Sequence, residues 1–150
     1  MSSIKEELYS YCLRHIEEQS AAIQQKINDA RDAASEDTKS SAGDKYETGR
    51  EMIQQEIDLN MTRLNEVKKL REIMDHIDPI LKNDMAVPGS IVKTNHGNYY
   101  IAISIGKTIL DDKIYYIISA ASPIGSLLKG RKKGDSFSFN VKEYVIKAVE

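Results

Sequence analysis

Between residues 4 and 34 the apolar positions recur at helical spacing. Ile4, Leu8, Cys12, Ile16, Ile23, Ile27, Ala30 and Ala34 are separated by 4, 4, 4, 7, 4, 3 and 4, with no Gly or Pro among them. A second stripe follows: Ile53, Ile57, Met61, Leu64, Val67, Leu70, Met74 and Ile77. Both stripes are narrow and flanked by Gln, Glu, Lys and Arg, which predicts a coiled-coil seam rather than a broad core face. Residues 35–43 between them are small and polar, as a helix–helix connection is. A short connection makes the two helices antiparallel neighbours, projecting roughly 45 Å at 1.5 Å per residue. Asp78-Pro79 closes the second helix, because the residue before proline is pushed out of the helical region.

After Met85 the period changes to that of strands. Residues 90–94, 99–105 and 114–119 are short, β-branched and aromatic, and residues 95–98 and 110–113 read as hairpin turns between them. Ser122-Pro123 offers an N-cap followed by proline at the first helical position, opening a short helix to about Lys129. Strands at 136–140 and 143–149 complete the pattern. The expected class is α+β: an antiparallel coiled-coil domain over residues 1–80, with its tip near 36–47, followed by a small antiparallel β domain over 85–150.

Composition sharpens the division. Residues 1–80 carry a charge balance of −6 and residues 81–150 a balance of +4, which suggests two modules with different surfaces. The acidic first half argues against tight duplex DNA binding by that half alone. No apolar run approaches the ~20 residues that cross a bilayer, and the first residues lack the apolar core of a signal peptide. A single cysteine, Cys12, excludes an internal disulfide and suits a reducing compartment. The expectation is a cytoplasmic protein without a membrane partner.

The chemistry-bearing feature is Gly43-Asp44-Lys45-Tyr46-Glu47, an acidic pair at the turn between the two stripes. Asp-x-x-Glu before a helical run also reads as a capping box, and spacing alone leaves both roles open. Lys26, Arg31, Lys39, Lys45 and Arg50 lie toward the same tip, with acids interleaved as on a solvated helix face. Arg131-Lys132-Lys133 reads equally as an exposed loop that keeps a sheet edge soluble. Cys12 falls in the seam and reads as a packed thiol. His15, His76 and His96 show no metal-ligand spacing, and no phosphate-cradling glycine loop is present.

These residues resemble the Gre family of bacterial transcript-cleavage factors. Three features carry the resemblance across nearly the whole chain: the order of modules, Gly43-Asp44-x-x-Glu47 at the tip, and the stretch Ser119-Ala120-Ala121-Ser122-Pro123-Ile124-Gly125-Ser126-Leu127-Leu128-Lys129-Gly130-Arg131-Lys132-Lys133-Gly134-Asp135. Thr48-Gly49-Arg50-Glu51 stands where the family has Asn-Ala-Glu-Tyr, and Lys45 where it has a hydrophobic residue.

The resemblance implies an FKBP-like fold for the β domain and a monomer that enters the secondary channel of RNA polymerase. Asp44 and Glu47 would act in the polymerase active centre, helping to hold a Mg²⁺ shared with the polymerase. Two such ions can stabilise the attacking and leaving oxygens of a phosphodiester displacement. Lys39, Lys45 and Arg50 would face the nascent RNA 3′ end, and Ser122, Pro123 and Ile124 would belong to the docking surface. The chain would then be no enzyme alone, but would stimulate cleavage of backtracked RNA by the polymerase. The departures at the tip keep a second expectation open, a non-cleaving regulator of the same channel. A third is a dimeric coiled-coil adaptor unrelated to transcription.

Overall fold

A helix with no internal Gly or Pro has nothing to interrupt its backbone hydrogen bonds. Helix α1 accordingly runs unbroken over Ile4–Lys39. Ser3 begins it with a capping box: its Oγ accepts from the Glu6 amide at 3.2 Å, while the Ser3 amide donates to Glu6 Oε1 at 3.4 Å. Helix α2 spans Asp44–Asp75 and ends in a tightened turn, where the His76 and Ile77 amides donate to Ile73 and Met74 carbonyls. The computed structural model describes residues 3–39 and 44–150, and of residues 37–48 it describes no side chain. Helix α1 continues past residue 34, where the sequence suggested a connection, because Ser, Glu, Asp and Thr disfavour a helix only weakly.

The chain divides into two compact units. One comprises Met1–Leu13 and Glu72–Glu150, and the other Arg14–Arg71.

In the first unit six strands form one sheet. They are β1 (Ile91–Thr94), β2 (Gly97–Ala102), β3 (Gly106–Leu110), β4 (Lys113–Ser119), β5 (Ser136–Phe139) and β6 (Lys142–Val149), in the spatial order β3-β4-β2-β1-β6-β5. Helix α3 (Pro123–Leu128) lies between β4 and β5 in sequence. The sheet is mixed, which corrects the expectation of an antiparallel one: β2 and β4 pair in parallel, with Tyr100 opposite Ile117. The reason is β3, a strand absent from the sequence reading. Gly106, at φ 104°, turns the chain into β3, and the Asp111-Asp112 turn returns it antiparallel as β4, placed between β3 and β2. The turn at 110–113 therefore joins β3 to β4, not β2 to β4.

Strand alternation sorts the side chains to two faces. Tyr99 and Ile101 of β2 join Val92, Tyr144, Ile146, Phe137, Leu128 and Ala86 in one buried cluster, against which Ile118, Ile124 and Leu127 pack. Tyr100, Tyr115 and Ile117 point the other way and are also buried, as are Leu8, Cys12, Met74 and Ile77 of the same unit. Burial together with the neighbouring Cys12 and Tyr9 pushes the Tyr100 phenol up, and its hydroxyl has no hydrogen-bond partner among the described residues. The Cys12 thiol is pushed up to about 12 by burial, which keeps it protonated and unreactive near neutral pH.

The second unit buries far less. Ile16, Ile27, Ala30, Asn60 and Val67 are its buried residues among those described, flanked by half-buried Ile23, Ile53, Ile57, Leu64 and Leu70. Met61, assigned to the seam from sequence, is exposed, and Asn60 is buried in its place at 2 % exposure. The α2 stripe thus steps from Ile57 to Asn60 to Leu64, the alternating four-and-three rhythm of a helix face.

Candidate functional site

Asp44 opens α2 and Glu47 lies three residues further along its backbone, after α1 has ended at Lys39. The side chains of Asp44, Glu47, Lys39 and Lys45 lie outside the described residues, as does the connection 40–43. Their donor chemistry is legible from residue type. Two carboxylates supply the hard oxygens that Mg²⁺ prefers, and they leave most of its shell to water or to a second protein.

Arg50 is described, and it shares a cleft with Arg31, one of the cations that the sequence placed toward the same tip. A cleft of about 370 Å³ within the helical unit is lined by Arg31, Ala34 and Ser35 of α1 and by Arg50, Ile53, Gln54 and Ile57 of α2. Arg31 from one helix and Arg50 from the other thus line a common space together with Ser35 and Gln54. A guanidinium presents a fork-shaped donor set that matches a carboxylate or phosphate. Arg50 is one helical turn beyond Glu47. The signal for Arg31 was its nineteen-residue separation from Arg50 across a helical connection, which no sequence motif marks.

The Ser122–Ile124 segment is built differently. Ser122 is the N-cap of α3: its Oγ accepts from the Gly125 amide at 3.0 Å and donates to the Ser119 carbonyl at 2.7 Å. Pro123 follows at the first turn and is exposed, while Ile124 packs against the sheet cluster. Gly125 is required by contact, since a Cβ there would stand 2.0 Å from the Ser119 carbonyl oxygen. Of the three residues assigned to docking, Pro123 alone is fully turned to solvent.

Arg131 is similarly engaged. It donates to the Leu127 and Ser136 carbonyls and covers the Phe137 ring at 5.1 Å, so it holds α3 to β5. Lys129, Lys132 and Lys133 remain exposed. A second cleft, of about 550 Å³, lies in the sheet unit and is lined by Ile4, Lys5, Pro79, Ile80, Lys82 and Glu150, among others. Lys5 is only 7 % exposed and donates to the Leu81 carbonyl. Burial lowers its ammonium, against which Glu150 and then Asp78 act.

Among the described residues there is no group of three His, Cys, Asp or Glu that would hold a metal ion. Nor, among them, is any helix long and apolar enough to cross a membrane. Compared by sequence with protein-family models and with characterised proteins, the chain matches none.

Proposed function

We propose that this chain is a Gre-like factor that binds RNA polymerase through its secondary channel and stimulates cleavage of backtracked RNA. The observation that carries the reading is the arrangement around the start of α2: two acids in its first turn, and a two-arginine cleft one turn further on. The lining of that cleft also favours an antiparallel coiled-coil hairpin. Arg31, Ala34 and Ser35 meet Arg50–Ile57, whereas a second groove joins Gln19, Ala22 and Ile23 to Arg63, Glu66 and Val67, so α1 numbers fall as α2 numbers rise. In this reading Asp44 and Glu47 contribute carboxylates to a Mg²⁺ shared with the polymerase, and Arg31 and Arg50 hold the RNA phosphates beside them. When bound, the metal supplies charge neutralisation at the phosphodiester. The β unit, FKBP-like in this reading, docks at the channel rim with Pro123 on its outer surface.

The test is RNA 3′-end cleavage in stalled, backtracked elongation complexes. Asn caps a helix about as well as Asp but is neutral and a poor Mg²⁺ ligand. The Asp44→Asn, Glu47→Gln protein is therefore expected to lose stimulation at least tenfold, roughly one hydrogen-bonded charge's worth of transition-state stabilisation, with polymerase binding retained. Wild-type cleavage by that variant would refute the role of the acids. Tight binding without cleavage by the unmodified chain would identify a non-cleaving channel regulator instead.

A further inference from the structure

Apart from Asn60, every buried residue described in the helical unit is apolar. The Asn60 Nδ2 donates to the Glu56 carbonyl, a bond within α2 that contributes nothing to holding α1. Its Oδ1 is buried without a hydrogen-bond partner among the described residues. A closed seam keeps that oxygen from water, and parting the helices hydrates it. Asn60 therefore favours opening at a level where Ile27 and Ala30 favour closure.

The two sides of this level differ. Ile27 and Ala30 lie in sequence between the α1 linings of the two clefts in the helical unit, and Asn60 lies between the α2 linings. On the tip side the charged lining residues are Arg31 and Arg50, one on each helix and of the same sign, which opposes closure. On the other side they are Arg63 and Glu66, whose charges cancel. Bonds from Gln24 to Asn28, Gln25 to Asp29 and Gln54 to Asp58 run along single helices, so they survive when α1 and α2 part. Local opening belongs to regions with few buried apolar contacts, and the tip side is such a region.

We infer that Asn60 is a pivot: the seam on its tip side opens while the seam on the other side stays closed, which adjusts the width of the two-arginine cleft. The inference rests on the hairpin and the phosphate-holding cleft proposed above. It makes that cleft a clamp, open when the guanidiniums repel each other and closed when RNA phosphate neutralises them.

The experiment is labelling of the full chain with a neutral maleimide. Cys12 is buried and its thiol is held protonated, so an engineered cysteine is read against a silent background. Ala30→Cys and Val67→Cys report on the two sides from nearly equal burial, 5 % and 6 % exposed. Ala30→Cys is expected to label about tenfold faster or more. Adding Asn60→Leu should slow it about fivefold, the worth of an unsatisfied buried polar atom, and leave Val67→Cys unchanged. Asn60→Met also lacks the oxygen and should act alike, which separates the pivot from a packing fault peculiar to Leu. Raising salt screens the two guanidiniums and should slow Ala30→Cys relative to Val67→Cys. Equal labelling at the two sites, or equal slowing of both by Asn60→Leu and Asn60→Met, would overturn the pivot. A ratio indifferent to salt would overturn the clamp. None of these readings uses the polymerase, so the cleavage assay tests the functional reading separately.

Discussion

The sheet unit and the helical unit spend their apolar residues in opposite ways. The sheet buries Ile91, Ile101, Ile103, Ile117 and Tyr100 completely, with side chains enclosed from several directions. Described residues of the helical unit bury a single row, and leave Met52, Leu59 and Met61 facing solvent. In a core closed on all sides, deleting part of a side chain costs more, because the surroundings cannot collapse into the space. A row between helices relaxes more easily. The difference teaches that the helical unit owes its form to periodicity, and that most of its surface is free to carry charge.

That comparison breaks or stands first on paired truncations. Ile101→Ala in the sheet should cost about 4 kcal/mol, and Ile27→Ala in the helical row about 2 kcal/mol, the upper and lower parts of the usual range. Both residues are fully buried, so exposure does not account for the difference. Urea unfolding of the full chain measures each, and equal costs would show that the helical unit is as tightly enclosed as the sheet.

Asn60 sharpens the contrast. Its Nδ2 donates to the Glu56 carbonyl at 3.0 Å, but its Oδ1 is buried with no hydrogen-bond partner among the described residues. A buried polar residue in a helix seam costs stability and specifies register. Asn60→Leu should therefore raise stability by about 1 kcal/mol, the ordinary cost of an unsatisfied buried polar atom. A loss of stability would mean that the amide's single bond is worth more than its desolvation.

The smallest effect concerns Glu7, in the sheet unit. Its carboxyl is raised, first by partial loss of solvation and then by the nearby Asp111 carboxylate. A raised acid binds its proton more tightly when folded, so its contribution to stability is full below the unfolded value of about 4.3 and is lost as pH rises through the folded one. Glu7→Gln should flatten this part of the stability profile, leaving the protein slightly more stable at neutral pH and unchanged in strong acid. Tm measured between pH 3 and pH 7 reads the difference. Identical profiles would show that the two carboxylates do not interact.

Much of the architecture was legible in the residues. The α1 stripe from Leu8 to Ala30 is where periodicity put it, and the Ser122-Pro123 start of α3 followed from capping chemistry alone. The acids at the start of α2 were visible as a motif. Arg31 was visible only as one cation among several, since its place opposite Arg50 depends on how far α1 and α2 have run before they meet.

Local physical chemistry thus determined the helices, the α3 cap and five of the six strands, because each is set by residues within a few positions of one another. What the tertiary structure alone decided was pairing. Gly106 and the Asp111-Asp112 turn created β3 and made β2 and β4 parallel, and the face of α2 that meets α1 buried Asn60 in place of Met61. Both outcomes depend on partners distant in sequence. The energy that selects among registers comes from side-chain contacts that exist only once the chain has folded.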